Sequence, residues 1–224
     1  MSRSKRYKEA GGRVEKKLYS PLEAFEVIKE VATAKFDESI DVSVALGVDA
    51  RKSDQMVRGS VVLPHGTGKK IRVAVVAEGN DALAAEEAGA EISGKDKVLE
   101  MIGRGELDFD VLIAAPDCMR DLARHGKLLG PRGLMPSPKS GTVVKDVADA
   151  VKKVKQGQIE YKMDKTGVLH AMIGKVSFPA ENLQENFESF LQSVVRGRPS
   201  SAKGKFIKKV TVSSTMGPSL VIDY

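Results

Sequence analysis

The sequence is poor in aromatic residues and in cysteine. Its 224 residues include no tryptophan, one cysteine and 5% aromatic residues in total. So few aromatic rings argue against a surface that stacks successive unpaired bases. The single cysteine, Cys118, cannot form an intramolecular disulfide, which fits a reducing cytoplasm. These shortages favour a cytoplasmic protein and disfavour one that binds single-stranded nucleic acid.

Long apolar runs are also absent. No run approaches the roughly 20 residues that a membrane-spanning helix needs. The N-terminal residues 1–9 lack the apolar core of a secretory signal. With 42% hydrophobic and 29% charged residues, the chain has enough apolar material for packed cores and no low-complexity run typical of disorder. We therefore expect a folded protein with no membrane partner.

Motifs for enzymatic chemistry are largely missing. The three histidines, His65, His125 and His170, lie far apart and lack the paired spacing of zinc ligands, so no metal site is predicted. Residues 65–70 are glycine-rich but precede a strand and lack the spacing of a phosphate loop, so we interpret them as an interdomain hinge. No Gly-x-Gly-x-x-Gly motif follows the predicted strands. We expect a non-enzyme without a cofactor.

One pair of residues keeps an enzymatic alternative open. Cys118 and His125 are seven residues apart and could share a helical face, as a nucleophile and its base do. The pair lacks any local signature, so half-buried structural residues are the other interpretation. The alternative function is a phosphate-handling α/β enzyme that uses the middle of the chain.

The first part of the chain predicts a helix and two strands. Ser20-Pro21-Leu22-Glu23 is a capping box with proline at the first helical position, and the apolar spacing that follows predicts a helix over 21–33. Alternating residues over 40–46 predict a strand with one buried face. Residues 59–63 are interpreted as its partner strand.

The last part of the chain has a similar antiparallel pattern. Residues 159–163 and 168–173 predict a hairpin joined by the turn Asp164-Lys165-Thr166-Gly167. An amphipathic helix over 183–194 follows. Two closing strands are predicted over 206–213 and 220–222.

The middle of the chain differs from both ends. Continuous apolar runs at 71–77 and 109–115 indicate strands buried on both faces, which is typical of a parallel sheet covered on both sides. Helical segments are predicted over 80–88, 95–102, 118–125 and 145–155. Residues 67–158 are therefore expected to form a Rossmann-like α/β domain of three layers.

The economical interpretation of the whole pattern is an insertion. Residues 1–66 and 159–224 together form a discontinuous α+β domain, and the α/β domain of 67–158 is set into its loop. The net charge of +6 and pI near 9.3 suit a polyanionic partner, although a somewhat basic protein without one is equally compatible. Residues 67–158 hold 15 basic and 14 acidic residues of totals of 36 and 30, so the basic excess lies in the outer domain. We place a nucleic-acid partner there.

The polar residues near the end of the chain suit a structured RNA that is recognised by its shape. Such recognition uses hydrogen-bonding groups for phosphates and 2′-hydroxyls, with small residues where the backbones approach. Thr211, Ser213, Ser214, Thr215 and Gly217 supply both within one segment, and Met216 adds an apolar contact. A polar edge strand followed by a turn is the alternative interpretation.

Three further segments are candidates for contact with RNA, each with an ordinary alternative. Phe36 stands among polar residues and either contacts the ligand or belongs to the core. The turn 164–167 and the nearby His170 either touch RNA or are merely solvated. The basic stretch from Arg3 to Lys17 is compatible with phosphate contact or with an exposed helix.

Four segments resemble one known family. Residues 129–139, Leu-Gly-Pro-Arg-Gly-Leu-Met-Pro-Ser-Pro-Lys, are similar to the signature loop of the bacterial family of protein one of the large ribosomal subunit. Residues 49–59, 63–69 and 214–218 resemble three further segments of that family. The resemblance covers essentially the whole chain.

The resemblance implies a structural ribosomal protein. Such proteins form the mobile stalk beside the tRNA exit site, bind large-subunit (23S) rRNA, assist the release of deacylated tRNA, and repress translation by binding a similar structure in their own mRNA. The family's architecture is a discontinuous outer domain with an inserted α/β domain, and off the ribosome we expect a monomer. Carried over by matching segments, the RNA contacts fall on Glu26, Lys35, Phe36, Ser39, Lys165, Thr166, Gly167, His170, Thr211, Ser213, Thr215, Met216 and Gly217.

The signature loop lies in the inserted domain, away from those contacts. Residues 130–139 are interpreted either as a rigid loop that caps the sheet or as a contact with tRNA or neighbouring RNA. Both interpretations stay open at this point.

Overall fold

A computed structural model describes residues 4–224, with the side chains of Ser53 and Lys139 excepted. Arg3 of the basic N-terminal stretch lies outside the described residues. The chain divides into two compact units, an outer unit formed by Met1–Gly68 and Ile159–Tyr224, and an inserted unit formed by Lys69–Gln158. Of the helices among residues 4–224, none is both long enough and apolar enough to span a membrane.

Helices and strands are numbered in chain order. The α-helices are α1 (Lys5–Gly12), α2 (Pro21–Val31), α3 (Asn80–Glu87), α4 (Lys95–Arg104), α5 (Met119–Ala123), α6 (Gly126–Leu129), α7 (Val147–Lys155) and α8 (Ala180–Arg196). The strands are β1 (Leu18–Tyr19), β2 (Ser39–Leu46), β3 (Arg58–Val62), β4 (Val73–Val76), β5 (Ile92–Ser93), β6 (Val111–Ala114), β7 (Gln158–Lys162), β8 (Val168–Lys175), β9 (Ile207–Ser214) and β10 (Ser219–Ile222). Short 3-10 helices span Ser53–Gln55, Pro116–Cys118 and Pro138–Ser140.

The outer unit is built on a five-stranded sheet in the order β1-β10-β9-β2-β8. Only the β1–β10 pair is parallel. Buried and partly exposed residues alternate along all eight residues of β2, as the sequence pattern predicts. One side of the sheet packs on α2 and α8, where Phe25 meets Phe187 edge to face with ring centroids 5.8 Å apart. The other side of the sheet is therefore left partly exposed.

Helix α2 begins where its capping box predicts. The Ser20 hydroxyl accepts a hydrogen bond from the Glu23 N–H at 3.4 Å, and Pro21 occupies the first turn, where no partner for an N–H is needed. Its buried residues, Ala24, Phe25, Ile28 and Val31, form one stripe. Burying a side chain of the size of Phe25 or Ile28 contributes about 1.5–3 kcal/mol, so this stripe holds the helix on the sheet.

Two predicted strand pairings are wrong. Strand β3 pairs with β7 in a separate two-stranded sheet and is not the partner of β2, whose two edges are occupied by β8 and β9. The expected hairpin between 159–163 and 168–173 also divides, because β7 joins β3 while β8 joins β2. A single antiparallel bridge, Met163 with Leu169, remains between the two segments. Closeness in sequence does not determine the partner when both strands are apolar enough to enter other sheets.

The inserted unit contains a three-stranded parallel sheet in the order β5-β4-β6. All four residues of β4 are buried, as expected of a strand covered on both faces. With this sheet inside a separate core, the structure confirms the predicted fold class, a mixed α+β and α/β protein. The helix predicted over 118–125 is broken into the 3-10 turn 116–118, α5 and α6. The helix predicted over 145–155 starts at Val147. The residue before it, Asp146, caps the helix, because its side chain accepts from the Asp149 N–H at 3.2 Å.

Candidate nucleic-acid interface

The partly exposed side of the five-stranded sheet is called the open face. It is formed by alternate residues of β8, β2 and β9, which the strand register aligns into rows across the sheet. Its three rows are Met172, Asp41 and Ser213; His170, Ser43 and Thr211; and Val168, Ala45 and Lys209. Hydroxyls and an imidazole thus replace the aromatic rings that a stacking platform would need.

The middle row holds His170 in a defined position. Its Nδ1 lies 3.0 Å from the Ser43 hydroxyl, and its Nε2 lies 3.9 Å from Oδ2 of Asp164. The Thr211 hydroxyl donates to the Ser43 backbone carbonyl at 3.3 Å, so Ser43 bonds to a side chain from each neighbouring strand. The exposed edge of the His170 ring can donate to or accept from a ligand group, depending on its tautomer.

An acidic residue, Asp41, stands on the central strand of the open face, in the row of Met172 and Ser213. Burial raises the pKa of the Asp41 carboxyl above its ordinary value, and the neighbouring His170 opposes that shift only in part. A carboxylate repels phosphates but accepts hydrogen bonds from 2′-hydroxyls. The row of Asp41 is therefore better suited to hydroxyl groups than to phosphates.

At one end of β2 the structure brings together Lys35, Phe36, Ser39 and the turn Thr215–Gly217, a group called the Thr215 end. The Ser39 N–H donates to the Thr215 hydroxyl oxygen at 3.0 Å, and the Thr215 N–H donates to the Ser39 carbonyl at 3.0 Å. Phe36 is 56% exposed and Met216 50% exposed. Two large apolar side chains thus remain half exposed beside a hydrogen-bonded pair of loops, where a ligand could cover them.

A buried carboxylate that sequence reasoning missed holds this end together. Glu38 is only 3% exposed, and its two oxygens accept from the Ala34 N–H at 3.1 Å and the Met216 N–H at 2.9 Å. Burial alone would raise the pKa of Glu38, but the Met216 N–H, the nearby Ser214 hydroxyl and the Ala34 N–H outweigh it, so the pKa lies below its ordinary value. Glu38 therefore stays ionised and ties the loop 34–38 to the turn 215–217.

The turn between β7 and β8 forms the opposite end of the open face, called the Lys165 end. The Asp164 carboxylate accepts from the Thr166 N–H at 2.8 Å, the Thr166 hydroxyl at 2.7 Å and the Val168 N–H at 2.9 Å. The Val168 N–H and then the Thr166 hydroxyl lower the pKa of Asp164. Gly167 adopts a positive φ of 85° and its carbonyl accepts from the Leu46 N–H at 2.9 Å. Lys165 and Thr166 are exposed on a preorganised turn, whereas Gly167 is buried and acts through the backbone.

One predicted contact lies apart from the rest. Glu26 is exposed on α2, which packs against the buried side of the sheet. The eight residues of β2 separate the Thr215 end from the Lys165 end by roughly 24 Å. All of the predicted positions thus lie on the open face, at one of its two ends, or at Glu26. The open face and its two ends form one continuous surface.

The inserted unit offers no catalytic constellation among the described residues. Burial raises the pKa of the Cys118 thiol, and the negative charge of Glu78 raises it further, which is the opposite of what a thiolate nucleophile needs. No group of three or more His, Cys, Asp or Glu side chains within residues 4–224 could hold a metal ion. The enzymatic alternative gains nothing from this geometry.

The loop that carries the family signature is fixed from within. The Ser137 N–H donates to the Thr142 hydroxyl oxygen at 2.9 Å, and the buried Ser140 hydroxyl lies 3.1 Å from the same oxygen. Residues 130–133 are exposed on this support. The loop is thus held by its own hydrogen bonds, and its outer residues are exposed.

Comparison with known proteins identifies the family. Residues 28–218 match the Ribosomal protein L1p/L10e family. The chain is 56% identical over 207 residues to large ribosomal subunit protein uL1 of Chromobacterium violaceum and 57% identical over 207 residues to that of Methylococcus capsulatus, in each case covering 92% of this chain and 90% of the relative. The protein of the same name from Vibrio vulnificus is 55% identical over 205 residues, or 92% of this chain and 88% of the relative. Proteins of this family are structural and not enzymes, in agreement with the prediction from motifs. The chain belongs to the Ribosomal protein L1p/L10e family.

Proposed function

We propose that this chain is a structural protein of the large ribosomal subunit that binds large-subunit (23S) rRNA through the open face and its two ends. The observation that carries the proposal is the Thr215 end, where Phe36 and Met216 remain half exposed beside loops that Glu38 and Thr215 hold in place. A surface built in advance binds with little loss of conformational entropy. The family membership supports the ribosomal assignment.

The chemistry of the surface suits a folded RNA. Phe36 and Met216 offer flat or flexible apolar contact to a base or ribose. Ser213 and Thr211 offer hydroxyls to 2′-hydroxyls and phosphates, and Lys35 and Lys165 supply cations at opposite ends. A ligand must therefore present its backbone in a fixed shape over roughly 24 Å, which folded RNA does and a flexible single strand does not.

The exchange of Thr215 for valine tests this proposal. Thr215→Val keeps the shape of the side chain but removes a hydroxyl that the Ser39 N–H uses, so the affinity for RNA is expected to fall by about 1–3 kcal/mol. Filter-binding titration with deproteinised large-subunit rRNA at constant salt measures the change. Thr215→Ser retains the hydroxyl and should bind nearly as well as the parent. Equal affinity of all three proteins would remove Thr215 from the interface.

Three finer statements belong to the same proposal. The surface that binds rRNA also binds a similar structure in the chain's own mRNA and so represses its translation. In a competition titration rRNA should therefore displace the mRNA. Simultaneous binding of both RNAs would contradict a shared surface. The exposed residues 130–133 of the inserted unit contact tRNA and assist its release from the exit site. Off the ribosome the chain is a monomer, which sedimentation equilibrium checks.

A further inference from the structure

The Lys165 end carries a second group of cations that the predicted contacts do not include. Lys205, Lys208 and Lys209 are all exposed. Within residues 4–224, none of the three side chains forms an ion pair or a hydrogen bond. Unpaired lysine ammonium groups on a surface are available to neutralise phosphates.

A β-bulge in β9 places two of these lysines side by side. Ala45 pairs with Lys209, whereas the next residue of β2, Leu46, pairs with Ile207, so Lys208 is the extra residue. Strict alternation would bury one of two successive residues, but Lys208 and Lys209 are both exposed. A bulge has this effect because it redirects a side chain without ending the strand.

Close contact between backbones fixes the segment that carries the lysines. The Gly47 N–H donates to the Phe206 carbonyl at 2.6 Å. A Cβ on Gly47 would meet the Lys205 carbonyl oxygen at 2.1 Å and would lie 3.4 Å from Cε of Lys208. Only glycine permits this approach, so the lysines are mounted on a tightly packed part of the sheet.

A groove of about 420 Å³ adjoins the lysines. Its walls include Leu18 and Val221, which pair with each other, and Val221 pairs with Thr211 of the open face. Among the residues that line the groove, Asp223 is the one carboxylate side chain against three lysines. An apolar floor with a positive margin matches the sugar and phosphate surfaces of a polynucleotide backbone.

We propose that Lys205, Lys208 and Lys209 form a phosphate-binding site for the RNA backbone, continuous with the open face. This inference rests on the proposed rRNA binding and extends it to residues outside the predicted contacts. Lys165 belongs to the same end of the sheet. The Leu46 N–H donates to the carbonyl of Gly167, in the turn of Lys165, and the Gly47 N–H donates to the carbonyl of Phe206, beside Lys205. The site adds affinity and salt dependence but no sequence preference, since phosphates are the same at every nucleotide.

A triple exchange to glutamine, Lys205→Gln with Lys208→Gln and Lys209→Gln, tests the site. Affinity for deproteinised large-subunit rRNA is measured by filter binding across a series of KCl concentrations. Each phosphate contact contributes about 0.7–0.9 to the slope of log affinity against log salt concentration, so the slope should become shallower by about 2–3. At about 0.1 M salt the affinity should fall at least tenfold.

The matched control removes the same charge from the inserted unit. Lys97, Lys127 and Lys145 are exposed and, within the described residues, their side chains are unpaired, so their exchange for glutamine should leave the slope near that of the parent. Equal slopes for the two triple variants would show that only net charge matters and would overturn the site. If circular dichroism shows that the first triple variant is unfolded, Lys208→Gln alone replaces it, with an expected loss of slope of about one.

The outcomes separate this inference from the function on which it rests. A parent protein without saturable binding to rRNA overturns both. If the parent binds rRNA, Thr215→Val weakens the binding and the lysine exchanges do not affect it, the proposed RNA function stands and the phosphate site is overturned. A shallower slope in the lysine variant alone supports both.

Discussion

At the scale of single residues, Glu38 decides the shape of the Thr215 end. It connects the loop 34–38 with a turn 178 residues further along the chain. In the sequence it stands between Asp37 and Ser39 in a polar segment, where a carboxylate is ordinarily solvated. Sequence reasoning selected Phe36 and Ser39 on either side of Glu38 but had no signal for the residue that positions them, because its partners are backbone N–H groups.

Exchange of Glu38 for glutamine should lower stability in a pH-dependent way. Because the folded pKa lies below the ordinary value of 4.5, the carboxylate contributes stability above that value and loses it as the pH falls through the folded pKa. At pH 7 the loss should be about 1–3 kcal/mol, since two partly buried N–H groups lose a charged acceptor.

Urea denaturation at pH 7 and near pH 3 measures this difference. The gap between the parent and Glu38→Gln should shrink at the lower pH, because below 4.5 the unfolded parent binds a proton in preference to the folded one. Glu30→Gln, an exposed exchange on α2, is the control and should leave the free energy of unfolding nearly unchanged at both values. A gap of the same size at both pH values would contradict the role of the charge.

At the scale of elements, the hydrophobic pattern predicted which residues face the core but not which strands pair. The alternation of β2 and the capping box of α2 are local properties, so both were predictable. The pairing of β3 with β7 depends on competition among strands far apart in sequence, and β1 and β5, with two residues each, are too short to show any period. The bulge at Lys208 was unpredictable for the same reason, because it exists only relative to β2.

The turn of the Lys165 end makes a prediction about local order. Asp164→Ala removes the oxygen that accepts from the N–H groups of Thr166 and Val168, so the exchange of both amide protons with solvent should accelerate. Hydrogen exchange followed by NMR measures the two rates. Asp164→Asn retains an acceptor at the same position and should leave both rates near those of the parent. Equal protection in the alanine variant would show that the turn does not depend on Asp164.

At the scale of the whole molecule, the discontinuous outer unit needs a connection between its two chain segments, and Asn186 supplies one. This residue of α8 is fully buried; its Oδ1 accepts from the His65 N–H at 3.0 Å, and its Nδ2 donates to the carbonyls of Gly66 at 2.9 Å and Ile173 at 2.8 Å. The fold class followed from the sequence because each segment has its own periodicity. A polar residue within the apolar stripe of α8 carried no sign of its three partners.

Asn186→Leu is expected to destabilise the outer unit by about 1–3 kcal/mol, because the buried Ile173 carbonyl and the partly buried His65 N–H and Gly66 carbonyl lose their partner while the volume stays similar. Thermal and urea unfolding measure the change. Asn182→Leu, a partly exposed exchange on the same helix, is the matched control and should stay within about 0.5 kcal/mol of the parent. Equal unfolding curves for both variants would show that the hydrogen bonds of Asn186 contribute nothing.

The central place of β2 has a consequence for synthesis of the protein. Both of its neighbours, β8 and β9, lie beyond residue 167 and are translated after the whole inserted unit. A nascent chain that has emerged only as far as β7 contains the loop 34–38 but not the turn 215–217. It also lacks His170 and Thr211, which flank Ser43 in the finished sheet. The inserted unit can fold while the ribosome is still translating, because its residues are contiguous. The open face, which we propose as the RNA surface, is therefore completed late in translation, and we expect chains that terminate before β8 to lack it.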